Sequence, residues 1–299
     1  MEPYSLKRSI LSALAYFQVF DHPLAEDEIF IMSDLPGADV GNIKIALDLL
    51  VKEELIFEWE GYYTIVFDRK LVQRRFKANI RAKQKMRTAW RHAKIIAYCP
   101  FVEAVMISGS LSKGVFHEKD DIDFFIITQK GRLMIAKALL TFFKRVFLFN
   151  SYRNFCLNYF VDVDHLEINE RNLFAATEVA SVLPMYNEGL YYQFIEQNDW
   201  IRHYFPRFKP KLNAKPIPRK RVSRVFEWLL KGKAGDRVDN YALNITKAYI
   251  NRKYKHLSKD QFSDNLILHK GVSRIHPDGH QSRIMNEYEQ IMQEIVKKL

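Results

Sequence analysis

Two acids, Asp121 and Asp123, stand two residues apart in the stretch DDIDFFIIT, an otherwise apolar run. A β-strand repeats every two residues, so both carboxylates face one way while Ile122 and Phe124 face a core. Like charges so close repel unless a cation sits between them. A hard divalent cation takes oxygen ligands of this kind and commonly binds substrate phosphates as well. The plain alternative is a solvated edge strand entered through the charged loop HEKDD, and Asp-x-Asp alone does not decide between them.

A second feature lies just upstream. The apolar run EAVMIS ends in Gly109-Ser110, and LSKG then begins a short helix closed by Gly114. Glycine lets backbone approach a ligand closely, and the following N–H groups with the Ser110 hydroxyl can hold a phosphate. Lys113 adds a positive charge there. The spacing expects a strand, a Gly-Ser turn, a short helix, a charged loop, and a strand carrying the acid pair.

That combination resembles the signature of the nucleotidyltransferase superfamily, the DNA polymerase β-like fold. Gly109, Ser110, Asp121, Ile122, Asp123 and Phe124 fill its places, with Lys113 where arginine is usual and Asp120 where serine is common. The motif covers about 20 residues of the chain. The resemblance implies that Asp121 and Asp123 hold Mg2+ (or Mn2+). It implies that Gly109 and Ser110 position a nucleoside triphosphate, with ATP the expected donor, and that an acceptor hydroxyl attacks the α-phosphate. It further implies a third carboxylate on a later strand. In NYFVDVDHLEI the residues Asn158, Phe160, Asp162 and Asp164 share a face. Asp162, nearer the strand centre, is the first choice for that role and for a metal ligand, and Asp164 follows it. If both are ordinary strand-end residues, the chain resembles a nucleotide-binding relative without transfer activity. The wider combination of segments is similar to bacterial proteins described only as nucleotidyltransferases, which brings no acceptor with it.

The elements around the motif expect an α+β chain. Residues 1–67 read as three short helices followed by a hairpin around Glu60-Gly61, the order of a winged-helix-like unit. Residues 68–98 read as a connecting helix with an apolar stripe of Leu71, Val72, Phe76, Ile80, Met86, Trp90 and Ala93. Arg69 to Lys94 hold eleven Lys or Arg and no acid. That face is either a solvated surface or a phosphate-contacting one. Residues 99–170 expect a mixed-sheet nucleotidyltransferase domain, and residues 171–299 a helical C-terminal region.

A net charge of +11 favours anionic partners without choosing among them. No apolar run reaches the roughly 18 residues a membrane span needs. Cys99 and Cys156 lack metal-ligand spacing and read as reduced thiols, so a cytoplasmic protein without a membrane partner is expected. His269, His276 and His280 cluster around HPDGH, but Pro277 and Gly279 make that a turn rather than a zinc site. Glu178 and Glu188 belong to helical segments that border the expected pocket or are simply solvated. Tyr186, Tyr191 and Tyr192 stack on a base or pack in a core, with the core favoured. His117 and Lys119 cover the acid pair or belong only to its loop. Two functions follow: metal-dependent transfer from a nucleoside triphosphate to the hydroxyl of a small molecule, protein or nucleic acid, or a winged-helix DNA-binding regulator that senses nucleotide. Glu58 and Glu60 on the hairpin oppose close approach to nucleic acid, which favours a packing or protein-interaction role for the first unit.

Overall fold

Positive backbone angles at Glu60 (φ 56°) and Gly61 (φ 79°) make the tight turn that the sequence signals there. The turn joins β2 (Phe57–Trp59) to β3 (Tyr62–Thr64), and β1 (Leu24–Ala25) pairs on the other side of β3. Three helices precede and interleave with this small sheet: α1 (Pro3–Gln18), α2 (Glu26–Met32) and α3 (Val40–Lys52). Acids fill the first turn of α2, and the Asp39 carboxylate caps α3 by accepting from Asn42 N at 2.7 Å. Ile10, Leu14, Ile29, Ile43, Leu47 and Leu50 form one core between them. The computed structural model describes residues 3–35, 37, 39–149, 153–212, 217, 223–255, 266–275 and 280–298.

The basic segment is one helix, α4 (Arg69–Ala97). Its buried side matches the expected stripe only in part. Phe76 and Ile80 are exposed, while Ala78, Ala82, Ala89 and Ala93 are buried. Small side chains let the helix lie close to its neighbours, so alanines replace Phe76 and Ile80 in the packed face, which keeps Leu71, Val72 and Ala93 buried and Met86 and Trp90 against the core.

A second sheet has the order β7-β4-β5-β6-β9-β8. Its strands are β4 (Val102–Ser108), β5 (Asp123–Thr128), β6 (Cys156–Asp162), β7 (Leu183–Tyr186), β8 (Leu266–Leu268) and β9 (Val272–Ile275). Strands β5 and β6 are parallel and the remaining pairs antiparallel. Helix α6 (Leu133–Phe147) makes the crossover between the parallel pair. Alternation along the strands sends Val105, Ile107, Phe124, Ile126 and Phe160 to one core, with α4, α6 and α10 (Lys233–Lys253). Ala104, Met106, Phe125, Ile127 and Val161 go to the other. There they meet α7 (Leu173–Ser181), α8 (Glu188–Gln197) and a short 3-10 turn over Asp199–His203. A two-turn helix, α9 (Ser223–Leu229), precedes α10, and α11 (His280–Val296) returns to the first core through Ile284 and Ile295.

The chain is therefore mixed α+β, but its last part is not purely helical. β7, β8 and β9 carry the sheet past residue 170 on both edges. Each is only three or four residues long, too short for a readable alternation. Pro184 sits on the edge strand β7, where a missing N–H costs least.

Candidate functional site

Strand β4 ends at Ser108, and the chain turns through Gly109 at φ 67° into the one-turn helix α5 (Gly109–Ser112). Ser108 pairs with Asp123 across the sheet. A β-carbon on Gly109 would stand 2.5 Å from Asp123 Oδ2. The positive φ and this contact together explain the glycine. Ser112 Oγ donates to Gly109 O at 2.8 Å, which closes the turn, and Gly114 ends it at φ 76°. The half-buried Ser110 follows Gly109 in this turn. The Ser108 hydroxyl is buried without a hydrogen-bond partner among the described residues.

Asp121 and Asp123 are both half-buried, with Ile122 fully buried between them. The strand begins at Asp123, so Asp121 stands just before it. Asp121 makes no hydrogen bond or ion pair among the described residues. Burial pushes the Asp123 carboxyl up to about 6; the Cys156 thiol opposes this by hydrogen bonding, the charges of Glu178 and Asp121 add to it, and Lys113 opposes it. In turn burial, the Asp123 charge and this hydrogen bond raise the Cys156 thiol, while the buried Lys144 ammonium of α6 lowers it. Three carboxylates thus bear on one spot against the nearby cation Lys113.

Glu178 reaches the site from α7. Lys113 Nζ donates to Glu178 Oε1 at 2.7 Å and also approaches Gly109 O at 3.4 Å. Lys211 holds the two supporting helices together. Its Nζ donates to Ser112 O at the end of α5 (3.0 Å) and to Ser181 O at the end of α7 (2.9 Å). Burial brings the Lys211 ammonium down to about 8.

Gly109, Ser110, Lys113, Asp121 and Asp123 therefore come together, whereas Asp162 and Asp164 do not join them. Because β6 runs parallel to β5, Asp123 faces Cys156 and Thr128 faces Asp162. Five residue steps at about 3.3 Å put Asp162 about 17 Å along the sheet from Asp123. Asp162 is a buried structural group there. It accepts from His165 Nδ1 at 2.6 Å, Asp164 N at 3.1 Å and Gly131 N at 3.3 Å. Asp164 pairs with Lys130 at 2.6 Å. Phase along a strand is readable in sequence, but register against a parallel neighbour is not. The position beside Asp123 belongs to Cys156, which sequence reasoning passed over as a plain thiol, although it opens the strand. The further carboxylate whose charge bears on Asp123 is Glu178, whose only signal was its place on a helix after the third strand.

Tyr186 and Tyr191 are buried in the two cores, and Tyr192 is partly exposed. Glu188 opens α8 as a first-turn acid. In the loop before the pair, the Asp120 carboxylate accepts from His117 N at 2.8 Å, and Lys119 is exposed. His269 Nδ1 accepts from Gly271 N at 3.2 Å; His280 begins α11, and His276 lies outside the described residues.

Among the described residues, no three His, Cys, Asp or Glu side chains form a group in metal-holding geometry. The donor set at the site is the unpaired Asp121 and the half-buried Asp123. That suits a cation such as Mg2+ or Mn2+, which is held by one or two carboxylates and completes its shell with phosphate oxygens and water. No helix among the described residues is long and apolar enough to cross a membrane. Comparison with protein-family models, curated proteins and solved structures finds no match to this chain.

Proposed function

We propose that the chain binds a nucleoside triphosphate with Mg2+ or Mn2+ at the Gly109–Asp123 cleft and transfers its nucleotidyl group to an acceptor hydroxyl. The observation that carries this reading is the Asp123 carboxylate packed onto Gly109 and held reluctantly ionised, with the unpaired Asp121 two residues before it. Asp121 and Asp123 are the cation ligands, and Ser110 with the Gly109 turn holds phosphate oxygens. When bound, the cation neutralises phosphate charge and favours ionisation of the acceptor hydroxyl. Lys113 turns from Glu178 toward the phosphates. Glu178, released from that ion pair, takes the proton of the attacking hydroxyl. The oxygen bonds to the α-phosphorus, the bond to the bridging oxygen breaks, and pyrophosphate leaves with its electron pair.

A second reading, nucleotide sensing without transfer, is favoured by two observations: β6 brings no carboxylate beside Asp123, and Glu178 is paired with Lys113. In either case the order α1-β1-α2-α3-β2-β3 fits a winged-helix-like unit. Its hairpin carries Glu58 and Glu60, and α3 exposes Val40, Ile45 and Leu49. Both features suit protein packing better than DNA. Four arginines of α4 (Arg69, Arg74, Arg75 and Arg81) are already in ion pairs within the chain.

The test is incubation with each α-phosphate-labelled triphosphate, Mg2+ and a cell extract, alongside equilibrium binding of the same nucleotide. Transfer of label that Asp121→Asn abolishes supports the enzyme. Metal-dependent binding without transfer supports the sensor. Absence of binding overturns both.

A further inference from the structure

Away from the acid pair, a cavity of about 300 Å³ lies where α1, α7 and α11 meet. Phe17, Met32, Leu173, Phe205 and Met285 give it an apolar lining. Its volume is about twice that of a cavity known to hold benzene, room for an aromatic ring and a short chain. Two polar groups in the wall are incompletely satisfied. Tyr16 is 2% exposed, and its hydroxyl, beside Thr177 of the same wall, makes no well-formed hydrogen bond among the described residues. The Thr177 hydroxyl is already donated to Leu173 O at 2.8 Å. Buried hydroxyls ordinarily have a partner, so an orphan in a cavity wall marks a place for a ligand's polar atom.

The second group is Asp34, which lines the cavity and is itself exposed, and so stands at its mouth. Ser9 Oγ donates to one carboxylate oxygen, and Asp34 N donates back to Ser9 Oγ at 3.0 Å. No ion pair to Asp34 is found among the described residues. Arg207 lies near enough to feel the Asp34 charge, but four of its five guanidinium donors are taken by Phe30 O, Leu35 O, Ser33 O and Ser33 Oγ. The other wall hydroxyls are satisfied: Ser12 and Tyr288 bond each other at 2.8 Å, and Tyr204 donates to Arg171 O at 3.0 Å. An apolar cavity with few convergent polar groups is the usual form of a small-molecule site.

We propose that this cavity binds a small organic amine, its ammonium group at Asp34, its aromatic or aliphatic body in the apolar lining, and a hydrogen-bonding group at the Tyr16 hydroxyl. The site is separate from the acid pair and does not rest on the nucleotide reading. α7 touches both places, because Thr177 lines the cavity and Glu178 bears on Asp123.

The experiment uses the full chain with 2-phenylethylamine as probe, and 3-phenylpropionate as a probe of similar body and opposite charge. Binding is followed by ligand-detected NMR and thermal shift. The amine is expected to bind and raise the melting temperature, and the acid to bind more weakly. Asp34→Asn, on an exposed side chain that leaves the core intact, should weaken the amine by about fivefold, as for one exposed ion pair. Ala13→Phe should fill the cavity and abolish binding; if that variant does not fold, Tyr16→Phe combined with a probe bearing a ring hydroxyl, tyramine, supplies the second arm by removing tyramine's advantage over 2-phenylethylamine. No amine binding to the wild-type chain, equal affinity for the acid, or unchanged affinity in Asp34→Asn would overturn the proposal.

Discussion

Exchanging Asp123 for Asn should stabilise the protein at neutral pH, because the fold holds that carboxylate in a place that disfavours its charge. The carboxyl has an ordinary value of 3.8 and is raised to about 6 in the fold, mainly by burial. A raised value in the folded state means that the folded chain keeps its proton longer than the unfolded one. Below 3.8 both states are protonated, and the stabilisation is present in full. It declines as pH rises through the interval and is lost above about 6. That gap amounts to about 3 kcal/mol. Partial exposure of Asp123 screens it, so a difference of about 2 kcal/mol is the expected size. The assay is urea unfolding followed by tryptophan fluorescence, with chelator present, for wild type and Asp123→Asn across pH 4 to 8. The stability difference should be small at the acid end, swing toward the Asn variant with its midpoint about halfway between 3.8 and 6, and level off above about 6. Added Mg2+ should then stabilise wild type alone and narrow the gap. A difference that stays flat with pH, or an Asn variant less stable at pH 8, would refute the account of the site as a charge-strained cation seat.

Asp121→Asn should change stability by less than about 0.5 kcal/mol, since the carboxylate has no partner to lose, yet abolish Mg2+-dependent nucleotide binding in a calorimetric titration. Asp162→Asn should do the reverse, lowering stability by about 1–3 kcal/mol in a denaturant melt through its three lost or weakened acceptor contacts, with nucleotide affinity unchanged. Gly109→Ala combines a left-handed backbone with a β-carbon only 2.5 Å from Asp123 Oδ2, so a loss of about 1–3 kcal/mol together with loss of nucleotide binding is expected from the same two assays. Duplex and single-stranded oligonucleotides titrated at two salt concentrations should bind weakly and without sequence preference. A steep salt slope, about 0.7–0.9 log units for each phosphate neutralised, that disappears in the Arg81→Glu, Lys85→Glu, Arg87→Glu variant would instead make α4 a nucleic-acid surface.

The local parts of the site were legible because they are fixed by nearest neighbours. A strand ending in glycine must turn, a serine follows it, and two acids two apart share a face whatever the rest of the fold does. The Glu60-Gly61 hairpin was readable for the same reason. Asp162 was misplaced because its role depended on how β6 slides against β5, a long-range choice set by core residues such as Phe160 and Val161 rather than by the acid itself. Glu178 was noticed but not assigned, since nothing local says which turn of α7 meets Lys113. The buried face of α4 was read only in part: Leu71, Val72 and Ala93 lie in it, but Ala78, Ala82 and Ala89 were passed over because alanines carry little weight in a hydrophobic pattern. Strands β8 and β9 were missed because three or four residues cannot show a period.

The meeting of α1 with α11 bears on how the chain is made. Ser12 and Tyr288, 276 positions apart, share a hydrogen bond, and Ile284 and Ile295 finish the core begun by Leu6, Ile10 and Leu14. During synthesis the first helices leave the ribosome long before their closing partner exists. The sheet meets a similar delay at one edge, since β9 arrives more than 100 positions after the β6 it pairs with. An emerging chain therefore holds an apolar face of its first helix in waiting for most of translation, a window in which chaperone capture or aggregation competes with folding. Premature termination just before α11 would release a polypeptide whose site residues are all present and whose oldest core has never been sealed.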